Sequence, residues 1–281
     1  MKLHVINTGL FKMDGGAMFG VVPKTIWNKL NPADENNLGT WAMRCLLIED
    51  GDQLILIDTG IGDKQSDKFF SYYYLHGNFS LETSLKHAGF QNKDITDVFL
   101  THLHFDHCGG AVKYKDPEKT IPELTFPNAR YWSNESHWQW ATKPNPREKA
   151  SFLKENIQPI EESEQLHYID INGSSPFMSF DIIYMDGHTE KQMLPIIRYK
   201  DREIVFMADM IPSVWHIPLP YIISFDTRPL ISMKEKKNFL NEAVKNDLIL
   251  FFEHDPVNEC AVVQETEKGI RVKETFKLED L

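Results

Sequence analysis

Short apolar runs recur along the chain: Leu54-Ile55-Leu56-Ile57, Val98-Phe99-Leu100-Thr101, Ile182-Ile183-Tyr184-Met185, Ile204-Val205-Phe206-Met207, and Leu248 to Phe252. Each is brief, free of charge and rich in β-branched or aromatic residues, which predicts buried strands rather than amphipathic helices. Thr40 through Ile48 and Gln53 through Ile57 flank Asp50-Gly51 and read as a hairpin. Between the strands, Ser80 to Ala88 opens on a capping serine and stops at Gly89, the residue type favoured just past a helix end. Ser232 to Asn246 places Phe239, Leu240, Ala243 and Val244 opposite its charges and reads as a second helix. Ser133 to Trp140 and Pro146 to Glu155 are read as two more. Strands alternating with helices, plus the hairpin, predict a layered α/β (α+β) architecture in which helices cover sheets.

The strand ends carry the chemistry. Asp58, His102, His188, Asp209 and His254 each stand at or just beyond the C-terminal end of one run. Rigid strands fix such loop residues beside one another although they are distant in sequence. The densest group is His102-Leu103-His104-Phe105-Asp106-His107, followed by Gly109-Gly110. An H-x-H-x-D-H pattern arises by chance in roughly one chain of this composition in a thousand, so a merely His-rich surface loop is a poor account of it. Three imidazoles and a carboxylate in six residues are costly to gather unless a cation sits among them, and a transition metal is the simplest such cation.

Composition narrows the field. With 281 residues, 42% of them apolar, the chain can bury a sizeable core, and it contains no repeats or long linkers, so residues 1–281 are read as a single domain. The net charge of −11 and the lack of a Lys/Arg run argue against nucleic acid as a partner. Neither a secretory apolar segment nor a run long enough to span a membrane is present, so the reading is a soluble, cytoplasmic protein without membrane association. Cys45, Cys108 and Cys260 are widely spaced and suggest neither disulfides nor a thiolate site; Cys108 reads as a space-filling thiol beside the loop.

In order along the chain, Ile57-Asp58-Thr59-Gly60, the Thr101 to Gly110 cluster, Gly187-His188-Thr189, Asp209 and His254 resemble the metallo-β-lactamase superfamily. The resemblance spans about Val5 to Asp255. It implies a four-layer αββα sandwich with metals at one edge of the sheets. It also implies two zinc ions per chain, His102, His104 and His188 holding one, Asp106, His107 and His254 the other, and Asp209 bridging. Mn²⁺, Co²⁺ or Fe²⁺ would substitute. Asp58 would orient a ligand imidazole from behind. The implied reaction is hydrolysis by a bridging hydroxide, with Asp106 and Asp209 part of the catalytic centre.

Among branches of the family, the chain looks closest to quorum-sensing lactonases and organophosphate hydrolases, which act on neutral small molecules: lactones, carboxylic esters or phosphotriesters. Only 27 residues follow His254, short of the basic helical tail of glyoxalase II thioester hydrolases. That branch and the mononuclear-iron persulfide dioxygenases are the alternatives. Two apolar stretches, Ala17 to Pro23 with Trp27 and Ile211 to Tyr221, could line a substrate pocket or pack as core, and exposed aromatic segments would allow a homodimer. Lactonases of this branch commonly carry Tyr three residues after the bridging Asp; here that position is Pro212, which makes His216 and Tyr221 the candidates for polarising the substrate or protonating the leaving group.

Overall fold

The computed structural model describes residues 1–116 and 118–281. The chain opens with β1 (Lys2–Asp14), two short helices α1 (Gly15–Phe19) and α2 (Lys24–Trp27), and the strands β2 (Leu38–Asp50) and β3 (Gln53–Ile57). There follow α3 (Asp67–Phe70), α4 (Leu81–His87), β4 (Asp97–Phe99), α5 (Phe105–Cys108), β5 (Val112–Tyr114), β6 (Pro122–Leu124) and β7 (Arg130–Ser133). Next come α6 (Glu135–Thr142), α7 (Lys154–Glu162), β8 (Leu166–Tyr168), β9 (Phe180–Met185), β10 (Gln192–Tyr199) and β11 (Arg202–Phe206). The chain closes with α8 (Pro229–Lys245), β12 (Ile249–Phe251), β13 (Cys260–Gln264) and β14 (Arg271–Phe276). It divides into two compact units, Met1–Gly9 with Met43–Pro176 and Leu10–Ala42 with Phe177–Leu281, the boundaries falling inside β1 and β2.

One six-stranded sheet has the order β1-β2-β3-β4-β7-β8. β2 and β3 form the expected antiparallel hairpin, with Asp50 opposite Gln53, while β3, β4, β7 and β8 run parallel. Ile57 lies opposite Phe99 and Phe99 opposite Trp132, so the segments leaving β3, β4 and β7 emerge level with one another. Those segments begin with Asp58, the His102 loop and Asn134. Leu56, Val98, Leu100 and Tyr131 pack with Leu85 of α4, Trp138 of α6 and Ile157 and Ile160 of α7 into a dry core. Burying each such side chain contributes about 1.5–3 kcal/mol, which makes the strand ends a rigid platform.

The second six-stranded sheet, β14-β13-β12-β11-β10-β9, lies wholly within the second unit. Its one parallel pair is β11 with β12, and Phe206 sits opposite Phe251. Asp209 and His254 each follow three residues later, so the register delivers them level. β10 is antiparallel to both β9 and β11, which brings the β9–β10 turn holding His188 to the same end of the sheet. The core beneath is Leu194, Val205, Leu250 and Phe252 packed on Phe239, Leu240 and Ala243 of α8.

The mixed α/β architecture read from the sequence is present, and all five apolar runs form strands. Three differences have clear causes. Ser133 ends β7 rather than starting a helix, and Asn134 caps α6 by accepting from the His137 N–H. Residues 146–153 are not helical: the Asn145 side chain turns the backbone by accepting from the N–H groups of Arg147 and Glu148, and α7 begins only at Lys154. Asp106 lies on the single-turn helix α5 instead of a loop.

Candidate metal centre

In the first unit, Asp58 follows β3 with a left-handed φ of 58°, is fully buried, and accepts at both oxygens. The Thr101 N–H donates to Oδ1 at 2.8 Å and the Thr101 hydroxyl to Oδ2 at 2.6 Å. His107 Nδ1 reaches the same Oδ2 at 3.0 Å. Because the Thr101 proton is committed to Asp58, its oxygen can only accept from His102 Nδ1, 3.1 Å away. His104 Nε2 faces Glu148 Oε1 at 3.3 Å, and Trp140 Nε1 and Asn145 Nδ2 donate to Glu148 Oε2, each at 2.7 Å.

These partners fix the tautomers. Each outer ring nitrogen must carry the proton it donates, which leaves His102 Nε2 and His104 Nδ1 as lone pairs facing each other at 3.1 Å. The His102 and His107 ring centroids are 3.9 Å apart, and Asp106 Oδ2 lies 3.9 Å from His107 Nε2. Two acceptors at hydrogen-bond distance repel unless a cation lies by them.

The second unit repeats the arrangement. His254 Nδ1 donates to the Ala42 carbonyl at 2.7 Å, so its Nε2 presents a lone pair to Asp209 Oδ1 at 3.0 Å. His188 Nδ1 meets Asp226 Oδ1 at 2.9 Å, and its Nε2 meets Asp209 Oδ2 at 3.0 Å. Burial pushes the His188 pKa down, but the Asp209 and Asp226 carboxylates outweigh it and raise it to about 10. A positive charge is thus strongly favoured there. Asp209, with one oxygen on each imidazole, has the form of a bridge. Ala208 just before it holds φ at 40°, a left-handed strain of about 1–2 kcal/mol of the kind that collects at functional sites.

The loop backbones are clamped behind these groups. Thr59 donates both its N–H and its hydroxyl to the His107 carbonyl, at 2.8 and 2.9 Å. A Cβ on Gly109 would lie 2.1 Å from the Ile61 carbonyl oxygen, which is why glycine must stand at the close approach. Lys64, itself buried, donates to the Gly109 carbonyl. Cys108 donates to the Leu103 carbonyl, and burial pushes its thiol up to about 12, so it stays protonated and fills space.

The two apolar stretches pack within the second unit. Phe19 stacks on Trp27 at 5.4 Å and on His216 at 4.9 Å, all three being buried. His216 has both ring nitrogens engaged, Nδ1 with the Ser213 hydroxyl at 2.7 Å and Nε2 with the Met18 carbonyl at 2.8 Å. Tyr221 is half-buried, edge-on to Phe19, and its hydroxyl has no hydrogen-bond partner among the described residues. The Pro212 carbonyl accepts from the His254 N–H. Burial lowers the His216 pKa from 6.5 to about 3. The unfolded chain therefore takes up a proton in that window which the folded chain refuses, so stability present above pH 6.5 is lost as pH falls toward 3. Denaturant melts at several pH values should show a shallower loss over this range in His216→Asn than in the parent; equal slopes would contradict the assignment.

Sequence reasoning missed Glu148, Asp226 and His137, whose Nε2 accepts the Leu103 N–H at 2.9 Å and so holds the loop between the first two histidines. No motif marks them; only the Asn-Pro turn around Glu148 hints at a fixed position. Glu148→Gln is expected to weaken metal affinity by about 10–100-fold, measured by chelator competition. Unchanged affinity would deny Glu148 a part in orienting His104.

The metallo-beta-lactamase superfamily pattern matches residues 39–254. The chain belongs to this superfamily. As a superfamily member it is a metallo-hydrolase, similar to lactonases. Over 96% of both chains it is 24% identical to an N-acyl homoserine lactonase of Bacillus cereus. A probable metal-dependent hydrolase from Staphylococcus aureus superposes with a TM-score of 0.87 at 26% identity, covering 100% of this chain and 98% of the other. AidC, a dizinc quorum-quenching lactonase solved with a product, shares the superfamily's fold with a TM-score of 0.78 at 23% identity, covering 99% and 97% of the two chains. Among the described residues, no helix is long and apolar enough to cross a membrane.

Proposed function

We propose that this superfamily member is a dinuclear zinc hydrolase of neutral esters, with lactones as its preferred substrates and carboxylic esters and phosphotriesters within reach of the same chemistry. The observation that carries the proposal is the orientation of the imidazoles: in each unit the outer ring nitrogens are committed as donors, so lone pairs and carboxylate oxygens face one another at 3.0–3.1 Å. Such a donor set of nitrogen and carboxylate oxygen, without thiolate, suits zinc. Following the family motif, His102, His104 and His188 are assigned to one ion, Asp106, His107 and His254 to the other, and Asp209 to both. When bound, two zinc ions lower the pKa of water toward neutrality and polarise a carbonyl or phosphoryl oxygen.

The chain's own groups do the rest. Asp58, Thr101, Glu148, Asp226 and the Ala42 carbonyl hold the five rings in one tautomer, so no reorganisation is needed at the moment of reaction. Asp209 is assigned the return of a proton to the leaving oxygen. Tyr221, with its hydroxyl uncommitted, is assigned the polarising role that Pro212 cannot fill, while His216 sets the loop that carries it. The lactone preference follows the relatives named as N-acyl homoserine lactonases.

Zinc-loaded protein assayed against N-acyl homoserine lactones, aryl phosphotriesters and S-acyl thioesters should turn over lactones with the highest kcat/KM. A clear preference for thioesters would overturn the substrate assignment, and iron-dependent oxygen uptake with persulfides would overturn the reaction class.

A further inference from the structure

We propose that Lys236 is the positioning residue for Tyr221, holding both ends of the turn that carries it; this rests on the role assigned to Tyr221 above. Lys236 lies on the buried face of α8, one turn after Ser232 and one turn before Leu240. It is fully buried, although helical periodicity asks for an apolar residue there. Ordering the long side chain and taking its amine out of water are both costly, and Met would fill the same space without either penalty.

The amine has a defined use. Nζ donates to the Pro218 carbonyl at 3.0 Å and to the Tyr221 carbonyl at 2.8 Å. These are the first and last residues of a turn that the Tyr221 N–H closes on the Pro218 carbonyl at 3.0 Å. The turn, Pro218-Leu219-Pro220-Tyr221, contains two prolines and so has few backbone donors with which to fix itself. Among the described residues no carboxylate forms an ion pair with Lys236, and Asp226 acts on it only at longer range. Burial pulls its pKa down to about 7 against the opposing effect of Asp226. As a neutral amine it has two N–H groups for two carbonyls, so both donors are used.

The preceding residue of α8 plays a matching part. Glu235 accepts the N–H groups of Asp186 and Gly187, at 2.9 and 3.0 Å, just before His188. A Cβ on Gly187 would lie 2.3 Å from Ser232 Oγ, so that turn sits directly on the helix. Phe239, Leu240 and Ala243 fix α8 to the sheet core beneath. Two consecutive residues of one anchored helix therefore hold the His188 turn and the Tyr221 turn, and α8 sets the spacing between them. A reacting group misplaced by about 1 Å can cost roughly a hundredfold in rate, so this spacing bears directly on turnover.

The test compares the zinc-loaded parent with K236M and K236R. Met matches the packing and cannot donate, whereas Arg, of similar volume, keeps donors for both carbonyls. In K236M at parental metal content, amide hydrogen exchange at Tyr221 and Ile222 should quicken at least about tenfold. Its kcat for a neutral lactone should fall about tenfold with KM little changed, and K236R should recover most of both properties. In a Tyr221→Phe background K236M should cost less than about twofold more, because the hydroxyl it places is already gone. Exchange at the parental rate in K236M, equal losses in K236M and K236R, or the same kinetic loss with and without the Tyr221 hydroxyl would each overturn the proposal. An Arg variant with parental metal content and a loosened turn would overturn it too, whether or not K236M folds. Quickened exchange in K236M, with a parent that turns over no lactone, would uphold the anchoring of the turn and overturn the hydrolase reading alone.

Discussion

Replacing Asp209 by Ala is expected to lower kcat/KM for a neutral lactone by roughly 10³-fold and to reduce bound metal in parallel. The Asp209 oxygens lie 3.0 Å from His188 Nε2 and 3.0 Å from His254 Nε2, so one carboxylate serves two of the assigned imidazoles. Removing it deletes a negative charge from the donor set and leaves two buried rings without the anion they face. Asp209→Asn keeps the shape and loses the charge, so it should resemble the alanine variant in metal content while folding as well as the parent. Steady-state kinetics paired with elemental analysis of the same preparations check this. An alanine variant that retains more than about a tenth of parental kcat/KM, with full metal, would show that Asp209 is dispensable.

The second large effect is on stability. Lone pairs held face to face in the folded chain repel, and no such arrangement persists once the chain unfolds. A cation that binds the folded state alone stabilises it by RT ln(1 + [M]/Kd), about 4 kcal/mol at a free concentration a thousand times Kd. For a chain of this length that corresponds to a fall of roughly 7 °C in Tm on stripping with a strong chelator, recovered on adding zinc. Calorimetry of the stripped and restored protein measures it. A Tm unmoved by either treatment would mean that the rings carry their positive charge as protons alone, as the raised pKa of His188 permits.

Much of this architecture was legible in the sequence because charge-free runs rich in β-branched and aromatic residues announce strands. The runs ending at Ile57, Met185 and Met207 mark the ends of β3, β9 and β11, and residues that closely follow them furnish Asp58, His188 and Asp209. The Ser80 cap and the helix-ending Gly89 were equally readable, since both are local chemistry. Long or marginal strands such as β1, whose residues are mostly half-buried, carry no comparable contrast and passed unnoticed. The same holds for Glu148. Its role depends on Trp140, Asn145 and His104 meeting around it, and tertiary proximity of that kind leaves no trace in spacing. The reading of residues 146–155 as a helix failed for a related reason: side-chain capture of the backbone by Asn145 competes with helix formation, and periodicity does not register it.

The substrate side is where the sequence said least. Pro212 offers no side-chain donor, and its carbonyl accepts from the His254 N–H. A Tyr221→Phe variant with full metal content and reduced kcat would support its proposed role in the lactone reaction.

The most direct measurement is the metal content of the purified protein after expression with added zinc. The proposed two-ion centre predicts close to two equivalents per chain, falling in both His104→Ala and Asp209→Ala. One equivalent that is lost in neither variant, or metal near zero in active protein, would contradict it.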